Sequence, residues 1–222
     1  METRGIEYLY KAWSYLVGNL TYVIIPVLLT SCLYLAKFIE QGLDFYYIVG
    51  IYLSIAAIVP LLYGQFIEII TTGNKENWKI VFEKYWIKVF IVSLILKVPF
   101  IIIDFIFPQT SIFESILSLG LDVLTIYVLP LVLLSNSIFS SIEIGIKCLI
   151  GNFKFSAPFI VVIVLFPVLS SVITKLVKHF DTQFVLYSSS IFIIFLSTFV
   201  NFLIFISAAM VLKEKLLKMK DV

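Results

Sequence analysis

Residues 155–176 read FSAPFIVVIVLFPVLSSVITKL, an apolar run whose single charge, Lys175, stands next to its end. A helix rises 1.5 Å per residue, so the run covers ~30 Å, the thickness of the hydrocarbon layer of a bilayer. Pro158 and Pro167 lie inside it. In water each would break or kink a helix, whereas neighbours in a membrane bundle re-satisfy the freed carbonyls. The stretch therefore reads as a membrane span. Five more runs of this kind occur, at Leu20–Phe38, Phe45–Ile70, Ile87–Phe107, Ile112–Leu134 and Phe184–Leu212. The expected fold is an all-α integral membrane protein of six transmembrane helices forming one domain over residues 1–222.

Composition agrees. Of the 222 residues 61% are hydrophobic and 14% charged, with a mean hydropathy of +1.10. Soluble domains hold about 25% charged residues, and a chain this apolar would expose large sticky patches to water. A net charge of +2 and a single arginine, Arg4, give no basic patch for nucleic acid. Cys32 and Cys148 are too few for a disulfide scaffold or a zinc site. The stretch before Leu20 carries Glu2, Arg4, Glu7 and Lys11 without the apolar core of a secretory leader, so it is expected to stay on the chain.

Basic residues set the expected orientation. With the N-terminus inside, the inner segments hold Arg4 and Lys11, then Lys75, Lys79, Lys84 and Lys88, then Lys147 and Lys154, and finally Lys213, Lys215, Lys218 and Lys220. The outer turns near Glu40–Asp44, Pro108–Ser111 and Lys178–Gln183 hold Lys37, Lys175 and Lys178. Both termini are thus expected in the cytoplasm, with the protein in the cytoplasmic membrane.

Proline spacing points to repetition. Pro26, Pro99 and Pro167 are 73 and 68 residues apart, and Pro60 and Pro130 are 70 apart. Before each odd-numbered span lies an amphipathic segment. The first aligns Leu9, Trp13 and Leu16; the second Trp78, Val81, Phe82, Tyr85 and Val89; the third Ile142, Ile146, Leu149 and Phe153. Gly18-Asn19 and Gly151-Asn152 close the first and third. The expected unit, an interfacial helix followed by a transmembrane hairpin, recurs at 1–72, 73–138 and 139–222. Trp13, Trp78, Tyr85 and Trp86 are the expected interfacial or partner-docking residues.

The segment Ser141–Asn152, Ile-Glu-x-Gly-Ile-Lys leading to Gly-Asn-Phe before a span, resembles one family. It is similar to uncharacterised six-span bacterial and archaeal proteins related to the membrane domain of glycerophosphodiester phosphodiesterases. Here Ile144-Gly145 replaces the alanine of that pattern, and no phosphodiesterase domain accompanies the span region. The resemblance implies a six-span fold and no catalytic residue.

Enzyme signatures are absent from the sequence. His179 is the one histidine, and no HExxH, Gly-x-Ser-x-Gly or Gly-x-x-x-x-Gly-Lys occurs. No cofactor or metal is expected. The unusual residues are polar ones inside the spans: Lys97, Asp104, Glu114 and Asp122, with Ser93 and Ser118 on their faces, and Ser190, Ser197 and Asn201 on one face of the last helix. A charge at mid-depth costs ~2.5–3.5 kcal/mol on insertion scales, so these read as interhelical glue or as a polar pocket. Lys97 and Asp122 are equidistant from the Pro108–Thr110 turn and are expected to pair. The expected function is non-catalytic: a small permease, or the membrane subunit of a transport or envelope-assembly complex. Its partners would be the lipid bilayer, another membrane subunit or a separate ATPase chain. The alternative is an intramembrane lipid-modifying enzyme with Asp122 or Glu68 as acid or base.

Overall fold

The computed structural model describes residues 4–36, 44–106, 112–135, 137–177 and 183–220, with side chains for all of these except 4, 36, 44–46, 97, 99–101, 103–106, 112–115, 118, 183–184 and 215–220. Among the described residues there is no strand. The helices are α1 (Arg4–Gly18), α2 (Thr21–Ala36), α3 (Asp44–Thr72), α4 (Trp78–Ile106), α5 (Ile112–Leu124), α6 (Val128–Leu134), α7 (Ile138–Gly151), α8 (Phe153–Val177) and α9 (Gln183–Lys220). Within the described residues three stretches are long and apolar enough to cross a membrane: Tyr47–Thr72, Phe153–Val177 and Val185–Glu214. A fourth is possible if α1 and α2, bent by 76° at Asn19-Leu20, count as one. The outer turns expected at Glu40–Asp44, Pro108–Ser111 and Lys178–Gln183 fall largely outside the described residues.

Helix boundaries follow local chemistry. At the end of α3, Gly73 takes φ +83° and its N–H donates to the Ile69 carbonyl at 3.0 Å, a left-handed helix stop that suits glycine. Asn77 caps α4 by accepting from the Lys79 N–H at 2.9 Å. Between α5 and α6 the run expected as one continuous helix is interrupted at residues 125–127. Pro130, just beyond the break, has no N–H to give the Ile126 carbonyl, which removes one of the bonds that would carry a helix across it.

The breaks between helices do not recur in all three expected units. Gly18-Asn19 and Gly151-Asn152 separate α1 from α2 and α7 from α8, whereas the segment before the third expected span has no such break and runs straight on within α4.

On the short helices some residues of the expected apolar faces are interior and others are open. On α1 the interior residues are Gly5, Tyr8, Ala12 and Leu16, with Leu9 half-buried and Trp13 53% exposed. On α7 they are Ser141, Gly145 and Leu149, while Ile142 and Ile146 are half-buried and Phe153, just beyond, is exposed. The small residues among these let backbones approach, while Trp13 and Phe153 keep half or more of their surface open. Gly145 shows how closely: a Cβ there would lie 3.0 Å from the Val128 Cα.

Packing is concentrated toward the lysine-rich ends of the long helices. The main core joins Ala12, Leu16, Val23, Leu62, Phe66, Val81, Tyr85, Phe202 and Ile206. A second core joins Tyr127, Leu149, Phe159, Ile204 and Ala208. α9 packs against α1, α2, α3, α6 and α8 and is central to both. By contrast, α8 exposes Val161, Val164, Leu165, Val168, Leu169, Val172 and Leu176 around most of its girth, the surface of a helix whose solvent is lipid.

Candidate functional site

Two polar assemblies emerge at different depths. The first is at the lysine-rich end. Glu68, 3% exposed near the end of α3, accepts hydrogen bonds on Oε1 from the Lys84 ammonium and from the Tyr85 hydroxyl, both at 2.6 Å. Around this pair α3 is tied down further. The Gln65 side-chain amide bonds both ways with the backbone of Glu76, donating to its carbonyl (2.6 Å) and accepting from its N–H (3.2 Å). Lys213 on α9 donates to the Ile70 carbonyl at 2.6 Å, placing a cation on the negative end of α3. Lys88 donates to the Ser135 carbonyl at 3.0 Å, and the Tyr8 hydroxyl donates to Glu214, joining α1 to α9. Lys84 and Tyr85 precede the apolar part of α4. The Glu68 carboxylate holds the Lys84 ammonium above the usual lysine range, and burial pushes the Tyr85 hydroxyl up to about 12.

Tyr85, expected as a surface residue, is therefore a core residue: α4 turns it against α3. The exposed face carries Trp78 (46% exposed) and Phe82 (48%), and Trp86 stacks between Phe82 and Phe90, its centroid 5.4 and 5.3 Å from theirs. Trp13 packs edge-on against Phe199 at 4.9 Å while keeping half its surface open.

The second assembly is a cleft of about 500 Å³ bounded by α3, α4, α5, α6, α8 and α9. Its polar lining is Asp122, Thr125, Ser197, Asn201 and Tyr63, and its apolar lining includes Leu96, Phe166, Pro167 and Phe205. Depth follows from helix rise. Asn201 lies ~18 Å along α9 from Lys213, Pro167 ~21 Å along α8 from Phe153, and Tyr63 ~14 Å along α3 from Thr72. These marks converge near the middle of a ~30 Å hydrocarbon layer. The interruption between α5 and α6 borders the cleft, where the Thr125 hydroxyl turns back onto the Leu121 carbonyl at 2.8 Å. Among the described contacts no donor or cation is placed on the Asp122 carboxylate, and no partner on the Asn201 amide or the Ser197 hydroxyl.

Of the residues singled out in the sequence, Asp122, Ser197 and Asn201 meet in this cleft. Ser190 does not; it bonds the Tyr34 hydroxyl at 2.9 Å and ties α9 to α2. Ser93 is half-buried on α4 outside the cleft lining. The side chains of Lys97, Asp104, Glu114 and Ser118 lie outside the described residues, as does His179. The sequence reading missed Thr125 and Tyr63, as well as the Gln65 and Lys213 bonds that brace α3; a proline inside an apolar run gave no distinct signal for Thr125. Among the described residues no group of three or more His, Cys, Asp or Glu side chains is placed to hold a metal. Set beside known proteins, the chain matches no family model, no curated protein and no solved structure.

Proposed function

We propose that the chain is a small polytopic permease of the cytoplasmic membrane whose solute passes through the mid-depth cleft. In this reading it has six spans: α2 (entered through the bend from α1), α3, α4, the interrupted pair α5–α6, α8 and α9. Both termini face the cytoplasm in this reading, which the distribution of lysines supports. The three-unit repeat, with its second interfacial helix fused to a span, belongs to the same reading. So does kinship with the six-span family resembled by Ser141–Asn152, although that kinship adds no activity.

The observation that supports it is the cleft. Uncommitted polar groups at mid-depth are expensive in lipid and mark solute or ion paths. An interrupted helix beside them is the form that membrane binding sites commonly take. Any energy from ATP would come from a separate chain, for which the exposed Trp78–Phe82 face of α4, or Trp13 on α1, offers a contact surface. The enzyme alternative draws less support. Glu68 is engaged by Lys84 and Tyr85, and Asp122 has no second acid or base beside it among the described lining residues apart from Tyr63.

A cysteine at Ser197, in a background lacking Cys32 and Cys148, tests the reading. A membrane-impermeant thiosulfonate should modify Ser197→Cys from either face of sealed vesicles, because a permease opens its cleft alternately to both. A cysteine that reacts from neither face would mean a sealed packing gap and end the permease reading.

A further inference from the structure

We infer that the cleft takes an organic cation, a protonated or quaternary amine on an apolar body, with the Asp122 carboxylate as its counter-ion. This rests on the permease reading only for the route by which the ligand arrives. Three features of the cleft select that chemistry. Its charge comes first: among the described lining residues Asp122 is the one carboxylate, it is exposed, and no described cation or hydrogen-bond donor satisfies it. In a low-dielectric setting a bare carboxylate strongly favours an opposite charge and repels an anion, while a neutral solute leaves it uncompensated.

The walls come second. Phe166, Phe205 and Tyr63 bring three aromatic rings to the cleft, with Tyr63 and Phe205 packed edge-on at 4.5 Å. Aromatic faces attract ammonium groups without requiring hydrogen bonds from them, and the aliphatic remainder of the lining suits an apolar body. Third, the polar complement is sparse. Asn201, Ser197 and Thr125 supply a few directional acceptors and donors. That is enough to orient an amine, but short of the six to eight hard oxygen ligands that a calcium ion takes. The cleft volume of about 500 Å³ falls in the range of small-molecule sites.

The sequence reading pairs Asp122 with Lys97, whose side chain lies outside the described residues. The experiment must therefore separate an external cation from an internal one. Equilibrium binding of tetraphenylphosphonium and its size-matched anion tetraphenylborate would be measured on the full chain in nanodiscs. The parent should bind the phosphonium and discriminate against the borate. Asp122→Asn should weaken phosphonium binding about tenfold or more, as for a close charge pair. Asp122→Glu, which keeps the charge, should retain binding and so separates loss of charge from loss of fold.

Equal affinity of the parent for both ions, or an Asp122→Asn variant that binds like the parent, would overturn the assignment. Phosphonium binding that appears only in Lys97→Met would overturn it too, by showing that Asp122 is committed to an internal pair. Failure here is distinguishable from failure of the permease reading. Ser197→Cys reactive from both faces with the phosphonium ignored removes the cation and leaves the permease. Phosphonium bound with Ser197→Cys sealed leaves the cation site and removes the permease.

Discussion

At the lysine-rich end of α3 the Glu68 carboxylate has two donors, and removing them one at a time separates their contributions. Lys84→Met leaves the buried carboxylate with only the Tyr85 hydroxyl. A fully buried pair broken this way costs ~3–5 kcal/mol, but the Lys84 side chain is 53% exposed, so screening reduces the expected loss to roughly 2 kcal/mol. Tyr85→Phe removes a buried bond to a charged acceptor and should cost about 1.5–3 kcal/mol. Thermal unfolding in one detergent checks both, and two variants as stable as the parent would show that the assembly contributes nothing. Alkaline titration gives a further check. The folded-state value of Lys84 is raised, so its contribution is intact below the ordinary lysine range of ~10.4 and is lost as pH climbs through the higher folded value. Tyr85 holds its proton up to about 12 when folded, whereas an unfolded tyrosine releases it near ~10, so stability again falls with rising pH in that interval. Stability should be flat through neutrality and decline above pH ~10, with less decline in Tyr85→Phe. Little of this was legible beforehand. Glu68 was visible as a carboxylate near a span end, but amphipathic spacing placed Tyr85 in a surface stripe, because spacing identifies a face and not what that face meets.

Among the elements, α7 shows what close approach costs. A Cβ on Gly145 would lie 3.0 Å from the Val128 Cα and 3.1 Å from its N, and backbone atoms cannot move aside as a side-chain tip can. Gly145→Ala should therefore separate α6 from α7 and cost ~1–3 kcal/mol as overpacking, read as a lower unfolding temperature. Gly18→Ala is the contrast, because nothing lies within 4 Å of a Cβ there. Helix ends signalled by Gly-Asn pairs could be read from the sequence, since glycine and asparagine act locally. The interruption before Pro130 could not, because it lies within unbroken apolar sequence and prolines are common in spans that do not break; α3 carries Pro60 and stays continuous. On α1 and α7 the spacing marked the large apolar residues, of which Leu16 and Leu149 are buried and Trp13 and Phe153 exposed, and passed over the small ones at the contact. In water the largest apolar side chains mark the interior, but beside lipid they lie on either side, and Gly5, Ala12, Ser141 and Gly145 mark the contact. Amide exchange offers a test of the interruption. Protons at residues 125–127 should exchange faster than those in α6, and Pro130→Ala, by restoring a donor to the Ile126 carbonyl, should slow them.

For the molecule as a whole, the proposed topology is open to direct labelling. A cysteine at Lys218 should be labelled only from the cytoplasmic face and one at Thr182 only from outside, and the reverse pattern would invert every span. The ties among the helix ends carry a consequence for biosynthesis. α9 follows in sequence every helix it packs against, yet it supplies Phe202, Ile206 and Ala209 to the main core and Lys213 and Glu214 to α3 and α1. A nascent chain threaded through the translocation machinery thus inserts its earlier helices before their common partner has left the ribosome. During that interval α1 lacks its acceptor on Glu214 and the negative end of α3 lacks its cation. Both cores stay open until α9 arrives, so a chain cut short before it would lack the helix that α1, α2, α3, α6 and α8 share.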